Sequence, residues 1–273
     1  MAEAYCEKTA PNYDGIESRE SLVTKSRRSQ FAAALDEQLP DGAIVLDAGC
    51  GTGQLTNFLG LAWNRRVFGG DISLNSLRRA NEFRERYRIV NAAFLQMDLF
   101  RLPFRDGSFD VVIANDVLNH IGDPRKGFET LLGKLRPGGF ISIALYNRYC
   151  RLPVLGRRWA SGRFGPMLYS SDSWLIPARL RGRRRDAPFR DQYHQQNETR
   201  HSIDEVLGWF DASGVDFMSS IPGADGLPIT DQTQFFESHP RGSMALRAAV
   251  QLNLLMTSGR DAGLFVMIGR KRR

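Results

Sequence analysis

Residues 45–56 read VLDAGCGTGQLT, and no other stretch of this chain restricts its fold as much. Three glycines at alternate positions follow an apolar run that carries Asp47 near its end. Glycine weakens both strand and helix interiors, and it supplies the backbone angles that other residues avoid. The segment therefore predicts a tight turn between a strand at 43–49 and a helix at 53–63. Such a turn aims bare backbone N–H groups and a helix start at whatever binds there. A phosphate loop of the G-x-x-x-x-G-K-[ST] kind needs a lysine, and none follows. A dinucleotide turn needs G-x-G-x-x-G. Here the third glycine comes one residue early, at Gly53, and Gln54 occupies the expected place.

The rest of the chain sets this turn in an alternating pattern. An amphipathic helix is expected over 17–39, stopped by Pro40-Asp41-Gly42. After the turn come a strand at 66–71, a helix at 74–87 and a strand at 92–98. A strand at 108–116, a helix at 123–139 closed by Pro-Gly-Gly, and a strand at 140–147 follow. A helix at 201–214, with Ser202 and Glu205 as a capping box, precedes a strand at 215–222. A helix at 243–259 and a strand at 263–273 end the sequence. The strands are short apolar runs without alternation, as for strands covered on both faces. The fold class expected is α/β: a Rossmann-like, doubly wound sheet, mostly parallel. Irregular stretches at 148–200 and 223–242 leave from the edge where such sheets bind ligands.

An acid or polar group stands at each of the first four strand ends: Asp47, Asp71, Asp98 and Asn115. With Asp47-x-Gly49-x-Gly51-x-Gly53, this resembles the class I S-adenosylmethionine-dependent methyltransferases. The resemblance covers 40–147, with 201–222 and 263–270 as the sixth and seventh strands. It implies seven strands, the last antiparallel and inserted between the fifth and sixth. It also implies S-adenosyl-L-methionine as cofactor. Asp47 would orient the methionyl end, and Gly49, Gly51 and Gly53 would let backbone approach it. Asp71 would take the ribose hydroxyls, and Ile72 would pack on adenine. Asp98 would accept the adenine amino group with Leu99 beside it, and the Asn115 carbonyl would hold the methionyl amine.

The loop after the fourth strand, NDVLNHIGDP, departs at both prolines and the aromatic from the [DN]-P-P-[YF] of nucleic-acid amine methyltransferases. It is more similar to ubiquinone/menaquinone C-methyltransferases, where VLHH is common, although Asn119 replaces the first histidine. His120 is the candidate base and Asp116 a second catalytic candidate, the alternatives being a packing histidine and a helix cap. Tyr13, Tyr146, Tyr149 and Tyr193 are candidate acceptor contacts. Cys50 reads as a small residue filling the turn, and His201 and His239 as structural.

Thirty-seven basic against thirty acidic residues leave a net charge of +7. Residues 148–200 hold twelve arginines, no lysine and four acids, so this stretch alone carries +8 and the remainder −1. Arginine in this density suits phosphate, carboxylate, nucleic acid or anionic lipid, or a solvated surface. Four regions are expected: a cap and helix at 1–40, a cofactor-binding core at 41–147, an Arg-rich lid at 148–200, and the rest of the core at 201–273 with an insert at 223–260. The expected function is O- or C-methylation of a small anionic, aromatic or lipid-like acceptor. The alternatives are an RNA or protein methyltransferase docking through the basic insert, and a non-catalytic cofactor-binding protein. Three widely spaced cysteines set no metal-ligand spacing, and the first ten residues carry no apolar run of the secretory kind. No transmembrane run is visible, and a cytoplasmic location is the expectation.

Overall fold

Val45 and Leu46 are adjacent, both fully buried, and serve different cores. That is possible because β1 (Ile44–Ala48) lies inside a sheet covered on both faces. The computed structural model describes residues 13, 15–149, 198–230, 232–257 and 263–273. Tyr193, and nearly all of the stretches at 1–14 and 148–200, lie outside the described residues.

The sheet has seven strands in the order β3-β2-β1-β4-β5-β7-β6. The others are β2 (Arg66–Asp71), β3 (Ala92–Gln96), β4 (Phe109–Asn115), β5 (Leu135–Tyr146), β6 (Val215–Ile221) and β7 (Leu264–Lys271). The first five pair in parallel, and β7 runs antiparallel between β5 and β6, as the resemblance implied. Seven α-helices are described: α1 (Arg19–Ser26), α2 (Gln30–Gln38), α3 (Gln54–Leu59), α4 (Leu74–Arg86), α5 (Pro124–Lys134), α6 (Ile203–Ala212) and α7 (Met244–Thr257). On one face Leu46, Val112, Ile141 and Ile143 meet Phe128 and Leu131 of α5 and Phe210 of α6. On the other, Val45, Val67 and Ile113 meet Leu35, Phe58 and Phe83 of α2, α3 and α4.

Three local expectations are corrected. The single helix at 17–39 is two, because Ser29 caps a new start by accepting from the Ala32 N–H at 3.4 Å. The helix at 123–139 ends at Lys134, and β5 begins five residues earlier than expected. Pro137-Gly138-Gly139 is no turn. It is an irregularity inside β5, where the register against β4 shifts between Phe109 and Val111. Ser202 does cap α6, accepting from the Glu205 N–H at 3.2 Å, but the Glu205 carboxylate is taken by His201 and Arg148.

Strand order reverses between β1 and β4, which opens a crevice at their C-terminal ends. Register then gathers the polar ends. Asp47 is level with Gly69 and Ile113, and Asp71 with Gln96.

Candidate functional site at the carboxyl edge of the sheet

The glycine turn folds back over the end of β2. The N–H groups of Gly49 and Cys50 both donate to the Gly70 carbonyl, at 2.7 and 3.0 Å. The Gly51 N–H donates to Asp71 Oδ2 at 2.9 Å. Asp71 Oδ1 accepts from the Ser73 N–H at 2.8 Å, so one carboxylate pins the turn and starts α4. Gly49 and Gly53 have φ of 77° and 73°. A Cβ on Gly49 would stand 2.4 Å from Val117, and one on Gly53 2.6 Å from Phe94. At both positions the group that excludes a side chain belongs to the chain itself.

Asp47 is 3% exposed and accepts from Thr56 Oγ1 at 2.6 Å. Burial pushes its carboxyl up to about 6; the Thr56 bond opposes this and the Asp71 charge adds to it. No cationic side chain among the described residues pairs with it. Asn115 ends β4 with its side-chain Oδ1 shut off from solvent and without a hydrogen-bond partner among the described residues. Along the rim, Asp98 is exposed and accepts from the Phe100 N–H at 2.8 Å. Ile72 is 46% exposed, whereas Leu99 is turned into the core.

Beside this edge lies a second cluster. Asp116 has φ of 54°, a left-handed angle uncommon outside glycine. Its Oδ2 accepts from the Tyr146 hydroxyl at 3.0 Å, and Oδ1 from Asn119 Nδ2 at 3.0 Å. His120 Nε2 stands 3.7 Å from Oδ1, and its ring meets Tyr146 edge-on at 5.9 Å. Val117, against Gly49, joins the two clusters. Asp116 does not cap the next helix; Asp123 does. Asp47 near the end of β1 and Asp116 after β4 each keep lone pairs beyond the bonds described, so this edge can face a cation with one carboxylate and a proton with the other.

Not every candidate comes here. Tyr13 stacks on Phe83 at 4.2 Å and accepts from Asn57 Nδ2 at 2.7 Å, against α3 and α4; burial pushes its hydroxyl up. The Tyr149 N–H donates to Asn147 Oδ1 at 2.9 Å. His201 bonds Glu205 and Thr199, and His239 bonds the Gln234 carbonyl. Burial, then the Asp47 and Asp71 charges, push the Cys50 thiol up, which suits a filler and not a nucleophile. Among the described residues no group of three or more metal-ligating side chains could hold a metal ion.

Sequence reasoning missed Asn119. Fully buried, it also accepts from the Tyr146 N–H at 3.0 Å and, at its carbonyl, from the Thr199 N–H at 2.9 Å. Its place in the loop after β4, three residues beyond Asp116, was the available signal.

Asp47 yields a stability test. Its folded pKa lies above the unfolded value near 3.8, so the folded state binds the extra proton between the two. Stability is therefore lost as pH rises from about 4 to about 6. Asp47→Asn removes that loss while keeping an acceptor for Thr56. The ligand-free variant is expected to be more stable than the parent by about 3 kcal/mol at pH 7.5 and little different at pH 4. Urea unfolding at both values checks this; a gain independent of pH counts against a buried, proton-hungry carboxyl.

A protein-family model described as a methyltransferase domain matches residues 46–143. Over 197 residues the chain is 29% identical to an uncharacterized protein of a Synechococcus strain, covering 64% of this chain and 47% of that one. It is 33% identical over 142 residues to the 2-methyl-6-phytyl-1,4-hydroquinone methyltransferase of a Synechocystis strain, covering 52% and 43%. The chain thus spans about half the length of these curated relatives. A solved structure with the same fold is magnesium protoporphyrin IX methyltransferase from Synechocystis with bound SAH. Its TM-score is 0.55 at 17% identity, over 93% of this chain and 85% of that one.

Proposed function

We propose, on the premise that residues 46–143 are a methyltransferase domain of the class I kind, that this chain methylates a small molecule with S-adenosylmethionine. The observation that carries the reading is a pair of unmet demands at one sheet edge. Asp47 is a buried carboxyl with no described cation, and Asn115 Oδ1 is a buried acceptor with no described donor. A buried polar group left without a partner costs about 1–3 kcal/mol, so such pairs mark places a ligand completes. The methionyl end of the cofactor is cationic and rich in N–H donors, and it fits both.

In this reading Asp47 and Asn115 hold the methionyl end, and Gly49, Gly51 and Gly53 shape the turn around it. Asp71 keeps free lone pairs for the ribose hydroxyls while it holds Gly51 and Ser73. Ile72 and Asp98 form the adenine side, and Leu99 supports it from the core. When bound, the cofactor supplies a methyl group on a positively charged sulfur, open to attack in line. Much of the acceleration in such transfers comes from orientation. Asp116, held by Tyr146 and Asn119, with His120 beside it, takes the proton of an O–H or activated C–H acceptor. Tyr146 borders the acceptor side, with Tyr193 assigned there by sequence alone.

The anionic, aromatic or lipid-like character of the acceptor rests on the arginine excess of 148–200 and on the hydroquinone substrate in a relative's name. Calorimetric titration with S-adenosylmethionine and S-adenosylhomocysteine tests the reading. Micromolar binding of both is expected, and absence of binding by either removes it. Native mass spectrometry of the purified protein then reports any acceptor carried along.

A further inference from the structure

Helix α7 (Met244–Thr257) turns two polar side chains, Arg247 and Gln251, toward the body. The Arg247 guanidinium, turned to the body, binds the Asp204 carboxylate at 2.6 Å and the carbonyls of Arg241 and Gly242 at 3.1 and 2.7 Å. Gln251 is 1% exposed, and its Oε1 accepts from Asn147 Nδ2 and from the Ile203 N–H, both at 3.0 Å. Val250 and Leu254 pack beside them on the main core. The exposed side carries Met244 (73% exposed), Ala245, Ala248, Ala249, Leu252 (54% exposed) and the polar Asn253. None of these is charged. Leu246 lies over Gly226, and Leu227 beside it, at 64% exposed, extends the patch into the neighbouring loop. Surface helices put charge on that face, and an apolar patch of this kind marks an interaction surface.

Charge selects the occupant. Gln251 ties α7 to Asn147 and Ile203, which flank the stretch 148–200 with its twelve arginines and four acids. The chain's densest positive charge is thus rooted beside this exposed apolar face. A second copy seated on this face would bring two segments of +8 together, which is repulsive. An anionic lipid surface satisfies both features, taking the apolar side chains into the headgroup boundary and drawing in the arginines. Two weak signals of this kind together give stable peripheral binding, where one does not. No described helix is long and apolar enough to cross a membrane, so the contact lies in the plane of the surface.

We propose that the outer face of α7 docks this protein onto anionic lipid bilayers. The proposal does not depend on methyl transfer. Its test is sedimentation of the intact protein with vesicles of phosphatidylcholine alone, and of phosphatidylcholine mixed equally with phosphatidylglycerol. The protein is expected to pellet with the anionic vesicles, and to be released as salt is raised. Met244→Glu with Leu252→Glu is expected to lower that partitioning by about tenfold or more, since two large apolar side chains no longer bury. Both side chains are solvent-exposed, so the variant is expected to keep the parent's Tm and its affinity for S-adenosylmethionine without vesicles. Undiminished vesicle binding by this variant overturns the proposal, as does equal binding of the parent to both vesicle types. A parent dimer by light scattering that the variant breaks assigns the face to a second copy and also overturns it. Retention on single-stranded RNA without vesicle binding does the same.

Discussion

Asp71→Ala is expected to weaken S-adenosylmethionine binding about 100-fold or more. The carboxylate performs two tasks at once in the proposed site. It accepts the Gly51 and Ser73 N–H groups, and in the bound state it takes the ribose hydroxyls. Hydrogen bonds to a charged group contribute about 1.5–3 kcal/mol each, and each factor of ten in affinity is 1.4 kcal/mol. Losing the ligand bonds and loosening the turn together exceed two such factors. Calorimetric titration of parent and variant measures it. Asp71→Asn is expected to fall between them, because one amide oxygen cannot serve both backbone donors as two carboxylate oxygens do. An Asp71→Ala affinity within threefold of the parent would refute the cofactor assignment at β2.

Gly53→Ala is expected to be among the most damaging single-methyl changes in the molecule. Its φ of 73° costs a side-chain-bearing residue about 1–2 kcal/mol. The added Cβ would also lie 2.6 Å from Phe94 Cε1 and 2.7 Å from Ala80 Cβ, inside a packed layer. Overpacking of that kind costs about 1–3 kcal/mol more. The sum, about 2–5 kcal/mol, is a large part of a typical stability of about 5–15 kcal/mol. Gly42→Ala is the control. Its φ is 77°, yet nothing lies within 4 Å of the added carbon. It is expected to cost only the conformational term, about 1–2 kcal/mol. Urea unfolding of the three proteins separates the contributions. Equal losses at both positions would show that packing at Gly53 is immaterial.

The sequence was most legible where the determinant is local. Apolar runs without alternation, each followed by an acid or amide, announced β1 to β4 and their shared edge. The glycine spacing excluded two of three ligand classes without any tertiary contact. It read less well where two local signals compete. Ser29 could continue a helix or start one, and Pro137-Gly138-Gly139 could end a helix or distort a strand. In the second case pairing with β4 decided the outcome, and no short window contains β4.

The order of elements, the polar residues at the ends of the first four strands, and the concentration of charge in 148–200 were all present in the sequence. These follow from periodicity and spacing along the chain. Which side chains meet came from packing across the chain. Gly49 answers to Val117 and Gly53 to Phe94. Asn119 joins Asp116, Tyr146 and Thr199. The Asp47 carboxyl is pushed up because desolvation depends on every layer around it. Helix α7 reads in sequence only as a helix at 243–259. Its orientation is set because Asp204 and Asn147, distant along the chain, claim its two inward polar side chains.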